Sequence, residues 1–126
     1  MPRPQFRMIA DTSVAYKTQL ATSHAGPVVL FNMFVVPPEK REAFMEYWHG
    51  DATYMKAQHG MISAQLHQGI AGSNVYINMA QWESVESLAR AFYSEKFQTG
   101  LERCPEGIIA YPLLLQKEGV PGICVA

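Results

Sequence analysis

No cluster of basic residues occurs in this chain. Its 126 residues carry a formal net charge of −1 with lysine and arginine scattered, so nothing reads as a nucleic-acid stripe. Long apolar runs are missing as well. The longest, such as "VVLFNMFVV", fall far below the ~20 residues that span a membrane, so no membrane partner is expected. The stretch "MPRPQFRMIADTSVAYKTQL" lacks a continuous apolar segment, and no secretory signal is expected there. Cysteine is scarce. Cys104 and Cys124 have no CxxC spacing and read as free thiols of a reducing compartment, which points to the cytoplasm. None of His24, His49, His59 and His67 has an HxH or HxxxH partner, and no carboxylate cluster accompanies them, so a metal site is not expected. GxGxxG, P-loop, GxSxG and flavin fingerprints are absent, which sets aside the chemistries built on those motifs.

What is present is apolar: 48% of the residues, enough for the core of one domain at this length. Residues 28–36 form a β-branched and aromatic run stopped by Pro37-Pro38, a buried strand. The prolines open a helix, where a missing N–H costs little. Phe44, Trp48, Ala52 and Met55 recur on one face of it, and Gly60 is its stop signal. Residues 61–69 and 75–82 read as strands joined by the turn residues "AGSN". Ser84 is a candidate N-cap for a second helix with Val85, Leu88, Ala89 and Phe92 on its apolar face. "SEKFQTGLERC" adds a further helical segment. Residues 108–116 read as a last strand, whose Pro112 points to an edge or a bulge.

The order β-α-β-β-α-β is the ferredoxin-like split β-α-β arrangement, an α+β fold with a four-stranded antiparallel sheet and both helices on one face. The expected organisation is an arm at 1–27, the domain at 28–116 and a tail at 117–126. The arm either packs across the domain or a partner, or is a loose tail. The open face of the sheet needs a cover, and a second copy of the same sheet supplies one, so a symmetric homodimer is expected.

Side chains alternate along a strand, so Tyr76, Asn78, Ala80 and Trp82 share one face, as do Leu30, Asn32 and Phe34. If the two strands are neighbours, Asn32 and Asn78 face one cavity. Asparagine is disfavoured in mid-strand, and burying its amide unpaired costs about 1–3 kcal/mol. Each therefore needs a partner, either backbone at a bulge or a bound ligand. The indole N–H of Trp82 has the same need. His67, in the second of the domain's strands, is the candidate proton acceptor. The methionines and aromatics suit a flat apolar ligand, with Phe34, Trp48, Met55, Tyr76, Phe92 and Phe97 as candidate lining residues.

"FNMFVVPPEKREAFMEYW", "YMKAQHGMISAQLHQG" and "YINMAQWESVESLARAFYSEKFQ" together resemble the antibiotic biosynthesis monooxygenase domain of the dimeric α/β-barrel superfamily, over roughly residues 28–116. The resemblance implies an oxygenase without cofactor that turns an anthrone-type aromatic polyketide into a quinone with O₂ alone. Its functional set maps onto Asn32, Asn78 and Trp82. The same superfamily contains haem-degrading monooxygenases, whose iron-ligating histidine falls where this chain has Leu101, and no histidine follows His67. Haem degradation therefore ranks lower. A polyketide cyclase or decarboxylase and a non-catalytic binding barrel are the other readings open to this scaffold.

Overall fold

The computed structural model describes residues 13–126 and, before them, the backbone of one short strand, Phe6–Met8. The rest of the expected arm, 1–5 and 9–12, lies outside the described residues. Among the described residues the strands and α-helices run in the order β1 (Phe6–Met8), α1 (Tyr16–Leu20), β2 (Val28–Val35), α2 (Arg41–Lys56), β3 (Met61–Gln68), β4 (Val75–Trp82), α3 (Val85–Phe92), α4 (Glu95–Leu101) and β5 (Ile108–Leu115). The four long strands form the antiparallel sheet read from the sequence, in spatial order β5-β2-β4-β3. β1 adds a fifth strand outside β5, parallel to it, which the sequence reading did not contain.

Local chemistry sets the boundaries. Pro38 opens a single 3₁₀ turn that leads into α2. Gly60 follows α2 with a φ of +94°, a conformation that glycine alone adopts without penalty. Its α-carbon also lies so close to Ser87 that a β-carbon there has no room. Ser84 caps α3 by accepting from the Ser87 N–H at 3.0 Å, and Ser94 caps α4 by accepting from the Phe97 N–H at 3.2 Å.

Pro112 tolerates its place because of how the β5 edge is managed. β1 pairs only Ile108–Ala110. Further along, the Gln19 side chain of α1 takes the strand's place: its Nε2 donates to the Leu114 carbonyl at 3.2 Å and its Oε1 accepts from the Leu114 N–H at 2.9 Å. Backbone groups two residues apart point to the same side, so Pro112 sits between these two covers where no partner waits for an N–H.

The core has two halves. One gathers Tyr16, Leu20, Val28, Leu30, Trp82 and Leu88 with their neighbours. The other is built on Phe34, Val36, Phe44, Tyr76 and Ile108. On the sheet, Leu30 pairs with Ala80 in the first half and Phe34 pairs with Tyr76 in the second; the row between them pairs Asn32 with Asn78. A polar rung thus divides the core.

Candidate active site

A cavity of about 70 Å³ lies on that rung, between the sheet and helices α2 and α4. Its sheet wall carries Asn32, Asn78 and Trp82. Its helix wall carries Trp48, Asp51, Ala52, Met55 and Phe97. Asn32 Oδ1, Asn78 Oδ1 and Trp82 Nε1 are buried and have no hydrogen-bond partner. Three orphaned polar atoms on one wall are costly, because each gave up water without replacement. Native proteins satisfy nearly all such groups, so a cluster of exceptions marks a place for a ligand. Each amide, turned over, presents its NH₂ where its oxygen stood, so the wall can offer three N–H donors to one oxygen.

The bulge alternative for the asparagines does not hold: β2 and β4 pair in unbroken register from Val28–Trp82 to Val35–Val75. The only irregularity nearby is in β3, between Met61 and Ser63.

Of the expected lining residues, Phe34, Trp48, Met55 and Phe97 reach this cavity. Three expected residues do not. His67 pairs with Ile77, one position off the Leu66–Asn78 pair, so alternation sends its ring to the opposite face of the sheet. There it is exposed, with Nδ1 at 3.3 Å from the Ile77 carbonyl. Tyr76 shares the face of Asn78 but is 3% exposed and packs on Phe44 in the second core half. Phe92 is held against Tyr16 of α1, edge to face at a centroid distance of 5.5 Å, within the first half.

Asp51 is the one ionisable residue of this lining, and the sequence reading passed over it. It follows Trp48 by three and precedes Met55 by four, so a carboxylate stands on the stripe that faces the sheet. Burial pushes its carboxyl up to about 6, against the opposing pull of a hydrogen bond from the Tyr47 hydroxyl and of the Arg103 charge. Tyr47 is itself raised, first by burial and then by Asp51 and Cys104. Cys104, buried beside them, is pushed up to about 12 and stays a thiol. Gly100 of α4 makes the close approach possible: a β-carbon there would stand 3.3 Å from Asp51 Oδ1.

A wider cleft of about 420 Å³ opens outside this point, between α2 and the α4 segment, with Glu46, Tyr47, Tyr54, Lys96 and Arg103 on its walls. Asp51 and Phe97 line both spaces.

A family model, antibiotic biosynthesis monooxygenase, matches residues 27–103. The chain belongs to the antibiotic biosynthesis monooxygenase family. A candidate monooxygenase from Shewanella loihica PV-4 is 35% identical, with a TM-score of 0.65 over 77% of this chain and 99% of that one. SnoaB of Streptomyces nogalater, a cofactor-independent oxygenase, shares the fold at 20% identity and a TM-score of 0.64, over 78% of this chain and 99% of its own. A candidate antibiotic biosynthesis monooxygenase from Caulobacter crescentus CB15 does so at 16% and 0.67, over 77% and 94%. No curated protein matches the sequence. Among the described residues, no helix is long and apolar enough to cross a membrane.

Proposed function

We propose that this family member is a cofactor-independent monooxygenase that oxidises a phenolic, anthrone-type aromatic polyketide to a quinone with O₂, in the secondary metabolism of a cytoplasm. The observation that carries the reading is the orphaned trio of Asn32, Asn78 and Trp82 on one cavity wall. The description of SnoaB as a cofactor-independent oxygenase supports it.

The chemistry needs an anion. The substrate carbon between the aromatic rings loses a proton, and the charge moves onto the ring oxygen. The two amides and the indole N–H donate to that oxygen in a site dry enough for such bonds to count. The anion gives one electron to O₂. The substrate radical and superoxide then join in a C–O bond, and the peroxide takes up a proton. The second proton leaves the same carbon as the O–O bond breaks, so a carbonyl forms and water departs. One oxygen atom enters the product and the other leaves as water. The substrate supplies all the electrons, so the balance calls for no reductant.

Size constrains the pose. Ligand pockets commonly hold about 300–1,000 Å³, so the inner cavity of about 70 Å³ takes only the reacting edge of a ring system. The rest of it lies in the outer cleft. A buried carboxyl beside an oxyanion wall equally suits proton transfer without O₂, and a cyclase or decarboxylase is the second reading. Oxygen uptake by metal-stripped protein, over a panel of anthrones and hydroxynaphthalenes supplied with ¹⁸O₂, separates the two. The oxygenase predicts uptake and one labelled atom in the quinone. Product without uptake overturns it in favour of the second reading.

The working unit is a homodimer joined through the open sheet face. On β2, β4 and β5 that face carries Phe31, Met33, Ile77, Met79, Tyr111 and Leu113, half-buried already, and among the described side chains of the sheet it bears no Asp, Glu, Lys or Arg; Gln65, His67 and Gln81 form its polar margin toward β3. A neutral apolar surface meets a copy of itself without charge repulsion.

A further inference from the structure

We propose that Asp51 is the proton acceptor of this site, and that the substrate lies across the junction of inner cavity and outer cleft with its acidic C–H beside that carboxylate. The assignment rests on the oxyanion-wall reading above and adds the base which that reading lacks once His67 is placed on the other face.

Position argues first. A base must stand within reach of the carbon whose anion the wall stabilises. Asp51 faces Asn32, Asn78 and Trp82 across the same small cavity. The sheet presents only neutral groups to it. No other residue lining the inner cavity ionises in the working range; the rest are apolar, aromatic or amide. Asp51 also lines the outer cleft, and it shares that double position with Phe97 alone. A flat ring system reaching inward between α2 and α4 passes both.

Chemistry argues second. The groups around the carboxylate hold it without fully neutralising it. Tyr47 donates to it from its own helix, Arg103 and the Cys104 thiol flank it after α4, and Lys96 and Glu46 stand further out on the cleft walls. Burial outweighs the pull of Tyr47 and Arg103, which leaves a carboxylate more basic than an exposed aspartate yet still ionised at neutral pH. Such a group takes the first proton from carbon and returns it to the peroxide. It then takes the second and gives it to the departing hydroxide, so the carboxylate ends as it began. Lys96 and Arg103 on the walls of the outer cleft suit a substrate bearing a carboxylate or an ionised phenol on its distal ring.

The test separates proton transfer from oxygen chemistry. Wild-type protein and Asp51→Asn are given anthrone in D₂O without oxygen, and deuterium entering the methylene is followed by NMR; O₂ uptake is then measured in air. Binding of anthraquinone, which has no proton to lose, and the melting temperature report whether the variant site is intact. The expected result is catalysed exchange in the wild type that declines as pH falls through about 6. In a folded Asp51→Asn protein that still binds anthraquinone, exchange slows about 10²–10⁴-fold, the usual contribution of a positioned base. Exchange that depends on Asp51 with no O₂ uptake upholds the base and overturns the oxygenase. Uptake at wild-type rate in Asp51→Asn overturns the base and leaves the oxygenase standing. Absence of catalysed exchange in the wild type overturns the assignment.

Discussion

Asn32 and Asn78 face each other across β2 and β4 where the sheet would otherwise carry two more apolar side chains. The fold bears this cost in stability, which gives a trade-off that can be measured. Asn32→Leu replaces an orphaned amide by an apolar group of the same branched shape, its extra volume facing the cavity, and is expected to raise stability by about 1–3 kcal/mol in denaturant melts. The same change removes one donor to the oxyanion and is expected to lower kcat by about 10²–10³-fold. Asp51 gives a second trade-off, with a pH signature. Its folded pKa lies above its unfolded value, so the native state holds the extra proton. Its contribution to stability is fully present below the ordinary carboxylate range and is lost as pH rises through about 6. Asp51→Asn should therefore melt higher than wild type at neutral pH, and the gap should close in acid. A lower melting temperature at neutral pH would show instead that Asp51 serves as a structural partner of Arg103. The asparagines were legible in the sequence because an amide stands out on an apolar strand and alternation assigns its face. Asp51 was not, because a lone carboxylate on a helix is ordinarily solvated. Only the packing of α4 at Gly100 shows that this one is covered.

At the scale of elements, the four long strands match their sequence readings to within a residue, since prolines, glycines and the Ser84 cap mark the boundaries chemically, while α2 starts at Arg41 after the 3₁₀ turn and ends at Lys56, before the Gly60 stop. Side-chain facing was harder. His67 missed the cavity by one position of register, which in a strand is a change of face. Tyr76 and Phe92 have the right facing, but Phe44 covers one and Tyr16 the other. Tyr16 belongs to α1, a five-residue helix whose sequence carries no strong periodic signal. Its hold on the sheet runs through Gln19, which substitutes for a strand at Leu114. Gln19→Ala should release that edge. Faster hydrogen exchange at the Leu114 amide, with exchange in β4 unchanged, is the expected outcome; unchanged protection at Leu114 would show that α1 is dispensable to the edge.

At the scale of the whole molecule, one face of the sheet is closed by helices and holds the site, while the other is open, apolar over β2 and β5 and polar toward β3. Phe31→Lys places a charge in the middle of the open face. Sedimentation equilibrium is expected to show a dimer for wild type and a monomer for the variant, and a monomeric wild type would refute the pairing. The site lies on the helix side, and this chain alone supplies the lining described for it.

The central claim is that the wall of Asn32, Asn78 and Trp82 stabilises a bound oxyanion. Absorbance titration of 2-naphthol bound to the protein tests it most directly, because phenol and phenolate differ in spectrum. Bound naphthol is expected to ionise at lower pH than free naphthol, by about one unit or more, and the shift is expected to disappear in Asn32→Leu with Asn78→Leu. A bound naphthol that ionises at its free pH or above it, or a shift that survives loss of both amides, would contradict it.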